Sequence, residues 1–199
     1  MGTMIMSDQN IREGIKSGWI NVEPFDDAMI QPASIDVRLG DHFTTYIKRD
    51  TFRDGMGRYH GIEIDPDEDN NRHTTESVIS DGGRVALGPG QFMLGHTMET
   101  ITLSPRVAAR LEGRSSYGRL GLVIHSTAGF IDPGFSGQIT LEMSNLAPYP
   151  IMLRPGARIG QVCFIPLISP ATIPYGTRAG SKYQGQTGAT MSRSHHDQH

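Results

Sequence analysis

After Arg84, helix-breaking residues recur at intervals that leave no room for a long helix. Leu87-Gly-Pro-Gly-Gln91, Ser104-Pro105, Asp132-Pro-Gly134, Pro148-Tyr-Pro150 and Arg154-Pro-Gly156 punctuate this part of the chain. Proline removes a backbone donor and fixes φ, and glycine opens turn conformations, so each of these marks the end of an element. The runs between them have period two. Ile139, Leu141 and Met143 alternate with Gln138, Thr140, Glu142 and Ser144, which sends Glu142 to a polar face and the apolar set inward. Earlier, Ile35, Val37 and Leu39 alternate with Asp36 and Arg38, which reads as a half-buried strand. Short strands at this spacing predict a mainly β fold, a β-sandwich or jelly-roll-like barrel. A short N-terminal helix is expected after Ser7, a good N-cap, with Ile11 and Ile15 on one face and Gly18 ending it. One or two further helices complete the expectation.

A chain of 199 residues fits one domain with a real core. Its net charge of −3 argues against a broad nucleic-acid surface but leaves room for a local phosphate site. No apolar run approaches the roughly 18 residues of a membrane helix and no signal-peptide pattern opens the chain, so a cytoplasmic location is expected. The single Cys163 lies in an apolar strand-like run, where an inert buried thiol is expected. Residues 1–6 are read as an N-terminal extension or expression remnant, with a natural start at Met4 or Met6. Residues 7–170 are read as the folded domain. Residues 50–83 are polar and read as a surface excursion, with Ile62-Glu-Ile64 and Val78-Ile79 resembling short strands. Beyond Pro170 periodicity is lost, which predicts a flexible tail over 171–199 whose last residues, with His195, His196 and His199, are disordered. Tyr175, Lys182, Tyr183 and Gln186 are nevertheless costly residues for a mere tail.

Two stretches gather chemistry-bearing side chains. Arg114, Ser115, Ser116 and Arg119 bring two guanidinium forks and two hydroxyls into one short turn. If Ser115 caps a helix, backbone N–H groups point outward there too. Polyphosphate is recognised by that mixture of charge and directional donors; an ordinary capped helix with surface arginines is the alternative. The second stretch holds Glu142, on the polar face of its strand, and Asp132, at the Pro-Gly turn feeding it. Two carboxylates near a phosphate-binding turn suit hydrolysis, where one group positions water and accepts its proton. A solvent-facing strand with a surface Glu and a turn Asp is the competing reading. Zinc nucleotide deaminases carry His-x-Glu or Cys-x-Glu with Pro-Cys-x-x-Cys. This chain has one cysteine and neither pattern, and it has no P-loop and no nucleophile elbow. A deaminase built on it has to activate water without catalytic zinc.

Five blocks in order carry a resemblance: Gln31-Pro-Ala-Ser-Ile-Asp-Val-Arg-Leu39, Gly113-Arg-Ser-Ser116, Arg119-Leu-Gly-Leu122, Ile131-Asp-Pro-Gly-Phe-Ser-Gly137 and Thr140-Leu-Glu142. Together they resemble the dCTP deaminase family, a branch of the trimeric dUTPase superfamily, from about Ser7 to Arg193. The resemblance implies a dUTPase-like distorted β-barrel and a homotrimer with active sites at subunit interfaces. It also implies dCTP and dUTP as nucleotides, Mg2+ held through the triphosphate with no zinc, and room for dTTP as feedback inhibitor. Glu142 matches the family's general acid/base. Arg119 and Ser115 match groups near the water and base, and Arg114 and Ser116 match triphosphate contacts. Tyr117 and Gly118 in the same turn, and Thr140 and Leu141 beside Glu142, count among the nucleotide contacts. Asp132 matches the residue that accepts from the deoxyribose 3′-hydroxyl. Gln161 matches a further nucleotide contact, and Tyr175, Lys182 and Gln186 match tail residues that close over the phosphates.

Members of this family either stop at dUTP or continue to dUMP and pyrophosphate. Gly129-Phe130 follows Ala128 here, as in the bifunctional members, where single-activity members commonly carry His-Arg. One physical account is that glycine leaves space for a second water near the α-phosphate. The Gly-Phe pair could equally reflect packing, and His125 could line a subunit interface. The expectation is therefore a dCTP deaminase that forms dUMP, with a dUTP-releasing deaminase as alternative and a dUTPase or non-catalytic nucleotide-binding regulator behind it.

Overall fold

Ser7 starts the first helix through a reciprocal cap: its hydroxyl accepts from Asn10 N–H at 3.4 Å, and its own N–H donates to Asn10 Oδ1 at 3.3 Å. The computed structural model describes residues 5–47, 52–125 and 128–196. Helix α1 (Asp8–Lys16) buries Ile11, and Gly18, at φ 74°, turns the chain out of it. Met6 is also buried, and its N–H bonds to Phe164 C=O at 2.9 Å. The folded unit therefore begins before residue 7, because an apolar side chain and a strand-like bond anchor the residue assigned to an extension.

Strands β1 (Ile20–Glu23), β2 (Ile30–Gln31), β3 (Ser34–Arg38) and β4 (His42–Tyr46) follow. The small ribbon of β5 (Phe52–Arg53) and β6 (Tyr59–His60) precedes β7 (Thr74–Val78), β8 (Val85–Leu87) and the long β9 (Phe92–Leu103). Then come β10 (Val107–Gly113), the one-turn helix α2 (Ser115–Gly118), β11 (Leu122–Ile124) and β12 (Phe130–Ile131). The last strands are β13 (Ser136–Asn145), β14 (Ile151–Leu153) and β15 (Arg158–Pro166). One sheet runs β11-β13-β9-β4-β7, with β1 also on β9; the other runs β12-β10-β15-β3-β2. Ile35, Val37 and Leu39 from one sheet and Phe43, Leu141 and Met143 from the other join a single core. The mainly β expectation holds. Among the described residues the sheets meet at a Leu39–Thr97 bridge without closing into a continuous ring.

Two local expectations change. Strand β3 is buried on both faces, Asp36 included at 1% exposure. Arg114 and Arg158 reach Asp36 Oδ2 at 3.3 and 3.4 Å, and Gln31 donates to it at 3.3 Å. Two distant arginines and the nearby Gln31 offset the cost of burying that charge at Oδ2, while Oδ1 is buried without a hydrogen-bond partner. In the excursion, Val78 does end a strand, β7, which pairs with β4 as a sheet edge. Ile62–Ile64 forms none.

Candidate active site

Strand β13 alternates buried and half-buried along its whole length, with Thr140 and Glu142 on the half-buried face and Leu141 fully buried. That face borders a cavity of about 450 Å³. Its walls are aromatic: Tyr46 and Phe92 stack at 6.3 Å, and Phe135 and Tyr175 meet at 6.0 Å. The size and the mix of apolar walls with a few polar groups suit a small planar ligand.

His125 closes one end. It is the one non-glycine residue with positive φ, 50°, among the described residues, and its side chain is 7% exposed. Its N–H donates to Glu142 C=O at 3.2 Å, and its Nδ1 lies 3.4 Å from Glu142 Oε2. That contact is long, and Nδ1 makes no well-formed hydrogen bond to the carboxylate, although a weak bond from His125 is what most favours the ionised carboxylate. The imidazole holds the Glu142 carboxyl below its usual range, against the opposing effect of burial. A carboxylate ionised at neutral pH and facing a cavity is equipped to take a proton from water. His125 was legible in the sequence only as an ambiguous histidine; its positive φ and burial are tertiary facts.

Gln138 N–H donates to Gln186 C=O at 3.0 Å, on the edge of β13 where Glu142 C=O meets His125. Strand alternation turns the backbone of Thr140 to that same edge, between the two contacts. Thr140 Oγ1 is buried without a hydrogen-bond partner. A buried hydroxyl in that state marks a place where a ligand's polar edge would be stabilised.

The tail is an ordered strap, not a free end. Tyr175 N–H bonds Pro133 C=O at 2.8 Å, and Gly185 N–H bonds Ser136 C=O at 2.7 Å. Gln186 Nε2 donates to Gln138 C=O at 2.7 Å, and Tyr183 N–H donates to the Tyr175 hydroxyl at 3.0 Å. Tyr175, Tyr183 and Gln186 all line the cavity, while Lys182 does not. Residues 197–199, including His199, lie outside the described residues.

The expected site residues fall into two groups. Glu142, Asp132, Thr140, Gly129, Phe130, Tyr175 and Gln186 line the one cavity. Leu141 sends its side chain into the core, which leaves only its backbone for a ligand. Arg114, Ser115, Ser116, Tyr117, Gly118, Arg119 and Gln161 lie elsewhere. Arg114, not Ser115, stands at the N-cap of α2, with no side-chain cap bond, because Ser115 has already entered the helix. Ser115, Ser116 and Arg119 are exposed to solvent. Gln161 sits across from Asp36 and from Glu112, beside the carboxylate that holds Arg114. Gly129 has a packing reason of its own: a Cβ there would stand 2.7 Å from Leu111 C=O. A side chain at 129 would meet backbone, so the space-for-water account of that glycine does not fit its surroundings. Cys163 is half-buried and its thiol is pushed up, chiefly by burial, which keeps it protonated and unreactive.

Residues 5–167 match the family model for dCTP deaminase-like domains. The chain belongs to the dCTP deaminase-like family. Among curated proteins it is similar to the dUMP-forming dCTP deaminase of Beutenbergia cavernae, with 53% identity covering 96% of this chain and 95% of that one. The dUMP-forming dCTP deaminase of Mycobacterium tuberculosis strain H37Rv is 51% identical, covering 96% of both chains. Among solved structures, the 2′-deoxycytidine 5′-triphosphate deaminase of Agrobacterium tumefaciens aligns with TM-score 0.61 at 24% identity. That alignment covers 83% of this chain and 49% of the other, so this family member spans about half that chain's length. It supports the fold. No helix among the described residues is long and apolar enough to cross a membrane.

Proposed function

We propose that this family member hydrolyses dCTP at cytosine C4 and carries the product on to dUMP, with ammonia and pyrophosphate released. The observation that carries the reading is Glu142: an ionised carboxylate, held by His125, on the wall of an aromatic cavity. Water adds to C4 while Glu142 takes its proton and passes it to N3, giving a tetrahedral centre. Glu142 then carries the proton of the new C4 hydroxyl to the amino group, which leaves as ammonia as C4 becomes the uracil carbonyl. A second water displaces pyrophosphate at the α-phosphorus to give dUMP. Asp132 lines the same cavity, and in this reading it accepts from the sugar hydroxyl. Tyr175 and Gln186 of the strap close the nucleotide in, and Lys182, outside the cavity wall, would reach the phosphates only at their far end.

The guanidinium and hydroxyl groups of Arg114, Ser115, Ser116 and Arg119 are absent from this cavity in one chain. That division supports a homotrimer in which a neighbouring copy brings this turn, with Tyr117, Gly118 and the Gln161 strand, to the triphosphate. Mg2+ fits as an ion held by the triphosphate, because Asp132 and Glu142 are the only carboxylates among the described residues lining the cavity. Magnesium commonly binds through one or two carboxylates plus substrate phosphates, and there it neutralises phosphate charge. The relatives reported above are dUMP-forming dCTP deaminases, which supports the two-step product.

Incubation with dCTP and Mg2+, followed by separate measurement of nucleotides, ammonia and pyrophosphate, tests this directly. Equal ammonia and pyrophosphate with dUMP as product is expected. Accumulating dUTP without pyrophosphate overturns the second step, and absence of ammonia overturns the first.

A further inference from the structure

Asp41, His42 and His96 stand apart from the residues given roles above. They are the one group of His, Cys, Asp and Glu side chains among the described residues whose ligand atoms converge, all within 4.8 Å of one another. His96, on β9, is 4% exposed and sits across from Thr140 of β13. Asp41 immediately precedes β4 and His42 opens it. Asp41 and His96 line a small cavity together with Asp81, and His42 faces a neighbouring one.

Three features go beyond proximity. First, His96 Nδ1 is 2.9 Å from Thr97 C=O, and a carbonyl can only accept, so Nδ1 carries the proton and Nε2 keeps a lone pair. Metal-ligating histidines are commonly held in this way, with the second ring nitrogen on a carbonyl. Second, that lone pair lies 3.6 Å from Asp41 Oδ1, too far for a hydrogen bond. Bonds of about 2.1 Å to one tetrahedral ion place two ligand atoms about 3.4 Å apart. His42 Nδ1 donates to the same oxygen at 2.7 Å; giving up that hydrogen bond and its proton would free the nitrogen as a third ligand atom beside the other two. Third, the ring of His96 occupies the space over Gly40. A Cβ on Gly40 would lie 2.1 Å from its Cε1, so only glycine admits the ring in this position. In the present arrangement Nε2 takes a long contact of 3.3 Å from His42 N–H, which coordination would exchange for the cation.

We propose that Asp41, His42 and His96 form a binding site for a divalent cation of the zinc type, separate from the cavity that holds Glu142. Two imidazoles and a carboxylate favour such an ion over magnesium, which prefers oxygen ligands. A cation there would tie the start of β4 to β9 directly across from Thr140. It would act as a structural tie, and it departs from the expectation of a chain without zinc.

The test uses the full-length protein with His195, His196 and His199 replaced by alanine, so that tail histidines contribute nothing. After chelator treatment and exchange, Zn2+ is titrated calorimetrically without nucleotide. One ion per chain is expected, with Asp41→Asn and His42→Ala each weakening binding at least tenfold. Both side chains are about half exposed, so these variants keep the fold, whereas a replacement of His96 would cut into the buried interior. At Zn2+ a hundredfold above Kd, the thermal midpoint is expected to rise by roughly 5–10 °C, a rise that Mg2+ does not reproduce. No stoichiometric binding, or binding that both variants leave unchanged, overturns the proposal.

Discussion

A carboxylate that is to act as base at neutral pH has to be ionised before substrate arrives, and the His125 ring beside Glu142 favours that state. Glu142→Gln keeps the shape and removes the proton acceptor. Ammonia release is expected to fall by about 10²–10⁴-fold with the circular dichroism spectrum unchanged; turnover within tenfold of wild type would remove Glu142 from the role. Because the carboxyl is held low, activity should persist into mild acid and be lost only as pH falls through the lowered value. His125→Asn takes away the lowering cause and leaves burial, which raises the carboxyl, and asparagine tolerates the positive φ better than most residues. The acid limb of kcat/KM is then expected at higher pH than in wild type. An unmoved limb means that His125 does not set the charge on Glu142. Gly129 makes a different kind of residue-scale claim. Gly129→Ala would drive a Cβ to 2.7 Å from Leu111 C=O, and a loss of about 1–3 kcal/mol in denaturant unfolding is expected. Phe130, 60% exposed in the cavity wall, should tolerate Ala within about 0.5 kcal/mol, so it is the cleaner probe of the pyrophosphate-to-ammonia ratio.

At the scale of elements, the strap behaves as an added edge to β13. Gln138 is bonded by the Gln186 backbone and side chain, and its own Oε1 accepts from Gly188 N–H at 2.7 Å. Gln186→Ala removes one of these bonds, worth about 0.5–1.5 kcal/mol. Limited proteolysis within 171–196 is expected to speed up roughly threefold to tenfold while the sheets stay resistant; equal cleavage would show that the strap docks without this contact. Legibility follows the range of the interactions. The alternation along β13 was readable, since period two is local, and so was the cap of α1, written within four residues. Composition alone did not show the strap, because main-chain bonds to a distant strand leave no mark on it; the costly Tyr175, Lys182, Tyr183 and Gln186 hinted at it, and the family resemblance implied a closing tail. Burial of Asp36 was likewise hidden, since it depends on Arg114 arriving from the start of α2 and Arg158 from β15. The same holds for the aromatic walls, where Tyr46 and Phe92 lie far apart in sequence and meet through the pairing of β4 with β9.

For the whole molecule, the division of the site has a consequence that a single chain cannot meet. Glu142 lines the cavity, while Arg119 is exposed at the C-cap of a short helix that contributes no residue to it. If a neighbouring copy supplies Arg119, the protein in solution should have about three times the 21.8 kDa mass of one chain. More tellingly, two dead variants should rescue each other. Arg119→Ala chains keep Glu142, and Glu142→Gln chains keep Arg119. In randomly mixed trimers with equal shares, one interface in four pairs an intact Glu142 with an intact Arg119 from the next chain, so co-refolding should restore about a quarter of wild-type activity. Neither variant alone, nor the two trimers mixed without unfolding, should show it. A mixture that stays inactive after co-refolding into trimers would place both groups in one subunit, and the exposed turn from Gly113 to Arg119 would need another partner than the neighbouring cavity.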